Sequence, residues 1–380
     1  VLLIPIRGTV SVVSEYDLVE RTTDLLYNDA RTAAVIPLVG FESGFGVTGG
    51  AMAFHHDLWG SGERLSVSAK FGGRYVQAYQ VRFRADNIRD AGVWTDLRMR
   101  YEANPSLLFA GYGAPTAPGV LGLDAYESFY AQRRALAVFA GGFVVGPKEM
   151  FRPGIRGVLN SREFDDPQES AGVPPITDFY DTTQLAGFDD GTNTLELQLL
   201  ARFDARAYSG LWRKGLWAEG FVGRANAPTS YIHWGTEVSY DLPVWRDSRI
   251  FSFRAALEGV SADVTEVPFS ELPRLGGADR LRGYPDDAFR GTHAALVSVE
   301  YSYPIHKNVS GNLFADLGRV GTSVGDIAST NGWRLGGGGG VLIGSEDDVT
   351  LRLSVAGGDR LQFFFGTDFA HAFDGRSEQL

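Results

Sequence analysis

Strict two-residue alternation, repeated segment after segment with one charged face, constrains this chain more than any other feature. From Arg64 to Phe71, Leu65, Val67, Ala69 and Phe71 alternate with Arg64, Ser66, Ser68 and Lys70. The next segment sets Tyr79, Val81, Phe83 and Ala85 against Gln80, Arg82, Arg84 and Asp86. A third sets Leu97, Met99 and Tyr101 against Asp96, Arg98, Arg100 and Glu102. Successive strand side chains point to opposite faces, so each segment carries an apolar face and a charged one. Soluble sandwiches alternate too, but so strongly charged a face on so many strands suits a wet lumen with lipid outside.

Sixteen such segments are expected. They run over Ala33–Phe41, Phe45–His55, the three above, Tyr126–Gly141, Phe143–Leu159 and residues 195–203. Then come Leu216–Arg224, Tyr231–Leu242, Ile250–Val260, residues 297–303, residues 312–317, Trp333–Ile343, Thr350–Val355 and Leu361–Phe373. Connections on one side are short, as at Trp59–Glu63, Asn87–Ala91, Pro243–Ser248, Pro304–Ser310 and Gly344–Val349. The long ones, Asn104–Asp124, Asn160–Gly191 and Ser261–Thr292, fall on the other side. An even strand number with this loop asymmetry is a barrel signature, and closure leaves no backbone group unpaired in lipid. The expected architecture is an all-β, 16-stranded antiparallel transmembrane β-barrel. Residues 1–32 read as a lead-in or linker, 33–373 as the barrel and 374–380 as a tail.

Composition permits this. The chain is 44% hydrophobic with 48 glycines, 25 phenylalanines, 15 tyrosines and 7 tryptophans, yet it has no apolar run of the roughly 20 residues a membrane helix needs. The absence of cysteine excludes disulfides and thiolate chemistry. A net charge of −11 without a basic block argues against nucleic acid as a partner. The start, Val1 to Arg7, lacks the basic residue and the length of a signal peptide.

The stretch from Leu272 to Gly318 carries the sharpest motifs. Gly276 and Gly277 precede Leu281-Arg282-Gly283-Tyr284; Glu300-Tyr301 sits in a strand ending at Pro304; Phe314, Asp316 and Gly318 form Phe-x-Asp-x-Gly. Alternation puts Glu300 and Asp316 on the polar faces of their strands. These motifs resemble the BamA/TamA superfamily of outer-membrane assembly and secretion barrels. The Glu42-Ser43-Gly44 turn and the Leu58-Trp59-Gly60-Ser61-Gly62 turn resemble the start of that family's barrel. The resemblance implies a long sixth extracellular loop folded into the lumen, with Arg282 at its tip held by Asp316 and, as a second acid, Glu300. Ser302 departs from the pattern, since relatives often have an arginine there.

The same resemblance implies a lateral seam between first and last strands. Pro37 cannot donate a ladder hydrogen bond, Gly366 interrupts the aromatic run Phe363-Phe364-Phe365, and Phe373 ends the last expected strand. The expected function is insertion or translocation of polypeptides at the bacterial outer membrane, as an integral protein without covalent chemistry, cofactor or metal. Partners would be outer-membrane lipids, other protein subunits and polypeptide substrates. Relatives that assemble proteins carry polypeptide-transport-associated domains ahead of the barrel, and 32 residues cannot hold one. A trimmed chain, or a barrel-only structural or docking subunit of a larger complex, is therefore the alternative. The barrel of a patatin-linked enzyme and a plain porin are further alternatives, and a plugging loop argues against the porin.

Other motifs read as structural. Gly321-Thr322-Ser323-Val324-Gly325 matches G-x-S-x-G, but it is expected in an external turn with no helix after it. Gly336–Gly340 lacks the Lys-Ser/Thr of a phosphate loop, and missing side chains there would leave room for the inserted loop or a sharp bend. His55 and His56 point to opposite faces, and His233, His293, His306 and His371 are scattered. No catalytic constellation is expected.

Overall fold

In the computed structural model, the described residues are 26–113, 127–146, 149–168, 171–209, 212–306, 308–344 and 350–367. The sixteen staves are β1 (Ala33–Glu42), β2 (Gly46–His56), β3 (Arg64–Gly72), β4 (Tyr75–Ala85), β5 (Val93–Phe109), β6 (Ser128–Phe143), β7 (Phe151–Asp165) and β8 (Thr192–Asp204). They continue with β9 (Trp212–Asn226), β10 (Ser230–Val244), β11 (Arg246–Val260), β12 (His293–His306), β13 (Val309–Gly321), β14 (Arg334–Gly344), β15 (Thr350–Gly357) and β16 (Leu361–Gly366). Each pairs antiparallel with its sequence neighbour, and β16 returns to β1, closing the sheet. A short segment, Ala207–Ser209, prolongs β8 along the same partner, β9.

Burial follows the alternation. On β8, Thr194, Glu196 and Gln198 are buried while Leu195, Leu197 and Leu199 are exposed. On β13, Phe314 and Asp316 are buried and Leu313 and Leu317 exposed. Exposed leucines beside buried carboxylates invert the soluble pattern, as a lipid-facing wall requires. The apolar core lies at the long-loop end. Ile176, Tyr180 and Leu185 from the β7–β8 connection pack with Val267, Phe269 and Leu272 from the β11–β12 connection and with Phe109 and Tyr130 from the wall. Phe269 stands edge-on to Phe109 and Tyr130, with centroids 5.7 and 5.2 Å away, a favoured aromatic geometry. Together these side chains cap the barrel.

Two expectations are corrected. The seventh strand is not Phe143–Leu159 but Phe151–Asp165. Its polar end, Asn160 to Glu163, has the composition of a loop, yet Asn160 and Arg162 are buried inward; a wet lumen accepts polar residues a soluble core would reject. A short helix, Val324–Ala328, begins within the Gly321–Gly325 motif. Ser323 Oγ accepts from the Asp326 backbone N–H and the Asp326 carboxylate caps the other end of a capping box. That serine is a helix N-cap in an external turn: its hydroxyl oxygen accepts from Asp326 N–H, and the Asp326 carboxylate accepts from the Thr322 and Ser323 N–H groups.

Candidate functional site: the loop arginine and the seam

The loop joining β11 to β12 carries a two-residue hairpin, Arg274–Leu275 against Phe289–Arg290, which presents the tip between them to the β12–β14 wall. Arg282 lies there. Its Nε donates to Asp316 Oδ2 and its Nη2 to Asp316 Oδ1, both at 2.8 Å, a bidentate fork. Nη1 donates to Glu300 Oε2 at 2.7 Å, and the Arg282 backbone N–H donates to Asp316 Oδ2 at 2.9 Å. The guanidinium sits 3.5 Å from the centroid of the Phe314 ring, within cation–π range. Arg282, Glu300 and Asp316 are 6%, 2% and 1% exposed. Burial works against the charge, but the hydrogen bonds to Asp316 and the charges of Asp316 and Glu300 outweigh it, raising the guanidinium pKa above its ordinary value.

Glycines make the approach possible. A Cβ on Gly336 would lie 1.9 Å from the Arg282 carbonyl oxygen, and one on Gly283, whose φ is +96°, would meet the Gly357 backbone at 2.6 Å. Gly318 leaves space filled by Leu275 and Leu281, and Tyr284 donates its hydroxyl to Leu335 O at 3.1 Å. Gly276 and Gly277 hold positive φ at the base of the tip, where Gly277 N donates to Tyr284 O at 3.1 Å. The structure thus brings Arg282, Gly283, Tyr284, Glu300, Phe314, Asp316, Gly318, Gly276 and Gly277 into one cluster.

The seam is a separate place. Among the described residues β1 and β16 pair at three positions, Gly40–Gly366, Phe41–Phe365 and Glu42–Phe364. β1 and β2 pair at ten and β9 and β10 at twelve. Gly366 is at the seam. Pro37 sits three residues before the paired stretch, and its carbonyl accepts from Thr367 Oγ1 at 3.3 Å. Phe373 lies outside the described residues, as do most of the lead-in and the whole tail. Loop and seam are linked: Asp286 of the loop ion-pairs with Arg74, which lies 3.9 Å from Glu42 of β1.

Three interactions escape the sequence patterns. Arg290 is fully buried, donating to Tyr130 Oη at 2.8 Å, Leu108 O at 3.1 Å and Phe269 O at 3.3 Å. His233 is buried between Glu196 (2.7 Å) and Glu258 (3.1 Å). Arg74 meets Asp286 across 212 residues of chain. Alternation alone points His233 inward, but nothing local to any of these residues names its partner. No group of metal-ligating side chains occurs among the described residues.

Residues 210–369 match the Omp85 superfamily domain. No curated protein matches in sequence. Among solved structures, BamA from Haemophilus ducreyi lacking POTRA domains 1–3 is 16% identical, with a TM-score of 0.61 over 88% of this chain and 70% of that one. CdiB from Acinetobacter baumannii (14% identical, TM-score 0.54) and CdiB from Escherichia coli (12%, 0.55) also superpose over 88% of this chain. The chain spans 59% and 62% of those two. At these identities the likeness is one of fold.

Proposed function

We propose that this Omp85-superfamily barrel, integral to the outer membrane, acts in the insertion or translocation of polypeptides, through its β1–β16 seam and with the Arg282 loop as a latch. The seam's short ladder carries the reading: among the described residues β1 and β16 pair at three positions. Every antiparallel rung contributes backbone hydrogen bonds, so among the described residues parting β1 from β16 sacrifices fewer than parting any other neighbours, the next shortest ladder being β15–β16 at six. A parted edge is a row of unpaired N–H and C=O groups, a template for an incoming strand. Arg282 would hold the loop against β12 and β13, three to four strands round the wall from the seam, and so set the wall's shape while the seam works. Other protein subunits and the substrate polypeptide would be its partners, and the membrane lipids its solvent.

The test is the folding rate of a substrate barrel into liposomes with and without this protein, periplasmic chaperones supplied. Acceleration over empty liposomes is expected. A well-folded protein that gives none has no autonomous insertase activity, which leaves the role of a structural or docking subunit.

A further inference from the structure

The inner wall is electrically divided. From β3 to β8, arginines stand directly opposite arginines on neighbouring strands: Arg64 faces Arg84 and Arg82 faces Arg98. Farther round, Arg134 faces Arg162 and Arg152 faces Arg202. The alternation places all of these on the inward face. Like charges directly opposite are destabilising in a sheet, and carboxylates interleaved along the arc offset these four rungs.

Carboxylates on this arc are shared between guanidiniums. Asp86 lies 3.1 Å from Arg84 and 2.8 Å from Arg152; Glu102 lies 2.6 Å from Arg100 and 3.6 Å from Arg134. Arg82 is paired with Asp96 at 2.5 Å, and Glu219 of the adjoining β9 serves Arg156 and Arg202, both at 2.8 Å. Among the described residues the buried Nε–H groups of Arg152 and Arg162 find no acceptor. Farther round, acids predominate: Glu237 is answered by Arg254 of β11, and Glu258, Glu300 and Asp316 by the loop's Arg280 and Arg282. A chain of net charge −11 has therefore turned a basic arc toward its lumen.

We propose that the β3–β8 arc is a binding wall for an acidic polypeptide segment in extended conformation. The spacing favours that ligand over a compact anion. Arg82 and Arg84 on β4, like Arg98 and Arg100 on β5, are two residues apart, so their guanidiniums repeat about every 7 Å. Carboxylates on alternate residues of an extended chain repeat at the same interval. Arg64, Arg84 and Arg152 lie near the strand ends joined by the short turns, where such a segment enters. The identity of the ligand as polypeptide rests on the function proposed above. The test reads binding with no insertion step, so the two fail separately.

A dye-labelled (Asp-Ser) repeat peptide is titrated against the refolded barrel in detergent, with a (Lys-Ser) repeat of equal length and inorganic phosphate as comparisons. Saturable binding of the aspartate peptide alone is expected, weakened about tenfold by Arg82→Gln/Arg98→Gln and about as much by Arg64→Gln/Arg84→Gln. Neutralising the exposed Arg133 is expected to leave it unchanged. Heat-modifiable electrophoretic mobility verifies that each variant is folded. Absent binding, equal binding of both peptides, or folded double variants that bind like wild type overturn the proposal. Displacement by phosphate at matched negative charge reduces the wall to a simple anion site and overturns the extended-peptide assignment.

Discussion

Replacing Arg282 with alanine removes three side-chain donations to two carboxylates that are nearly inaccessible to water. Charge-assisted hydrogen bonds contribute about 1.5–3 kcal/mol each, but they are not additive here, because Asp316 and Glu300 each shed part of the loss by taking up water. Breaking a buried pair on one side costs roughly 3–5 kcal/mol. At about 1.4 kcal/mol per decade, that raises the population with the loop tip detached by roughly a hundredfold to a few thousandfold. Protease cleavage within residues 261–292 reads this population directly when opening is fast relative to cutting. Arg282→Lys keeps the charge but loses the fork, and its cleavage rate should fall between the two. Arg282→Ala/Asp316→Asn should recover part of the loss, since one stranded carboxylate is neutralised. Cleavage of Arg282→Ala within about threefold of wild type would refute the latch energetics, a shift of less than about 1 kcal/mol.

Gly336→Ala should loosen the same loop without touching a charge, because its Cβ collides with the Arg282 carbonyl; overpacking of this kind costs about 1–3 kcal/mol, and the same protease assay measures it. Arg290→Gln should strip the cap of its buried donors and lower the heat-modification midpoint, leaving acceptors at Leu108 and Phe269 unsatisfied at about 1–3 kcal/mol each. Asp286→Asn should weaken the ion pair to Arg74 and leave Arg282 in place, so loop cleavage should rise less than for Arg282→Ala.

The wall was legible because lipid on one side and water on the other force a period of two, and Leu195, Leu197 and Leu199 obey it. Alternation places Asp316 and Glu300 on polar faces, but their pairing with Arg282 is what the family resemblance implies, not something the local pattern shows. β7 lies C-terminal to its expected range because inward-facing Asn160 and Arg162 have the composition of a loop. The Val324–Ala328 helix has only a weak sequence signal, one capping box of Ser323 with Asp326 over five residues. Arg74 with Asp286, and Arg290 with Tyr130, depend on barrel closure and loop docking, which bring together residues 160 to 212 positions apart. No local pattern encodes such a pairing.

The most direct test of the central claim is to lock the seam. Phe41 and Phe365 are register partners on the outer face of β1 and β16, within reach of a disulfide when both are cysteine. The chain has no other cysteine to interfere. With Phe41→Cys/Phe365→Cys in liposomes, the reduced barrel should accelerate substrate folding, the oxidised barrel should not, and reductant should restore the rate. Equal acceleration by the oxidised, covalently closed barrel would contradict a working seam between β1 and β16.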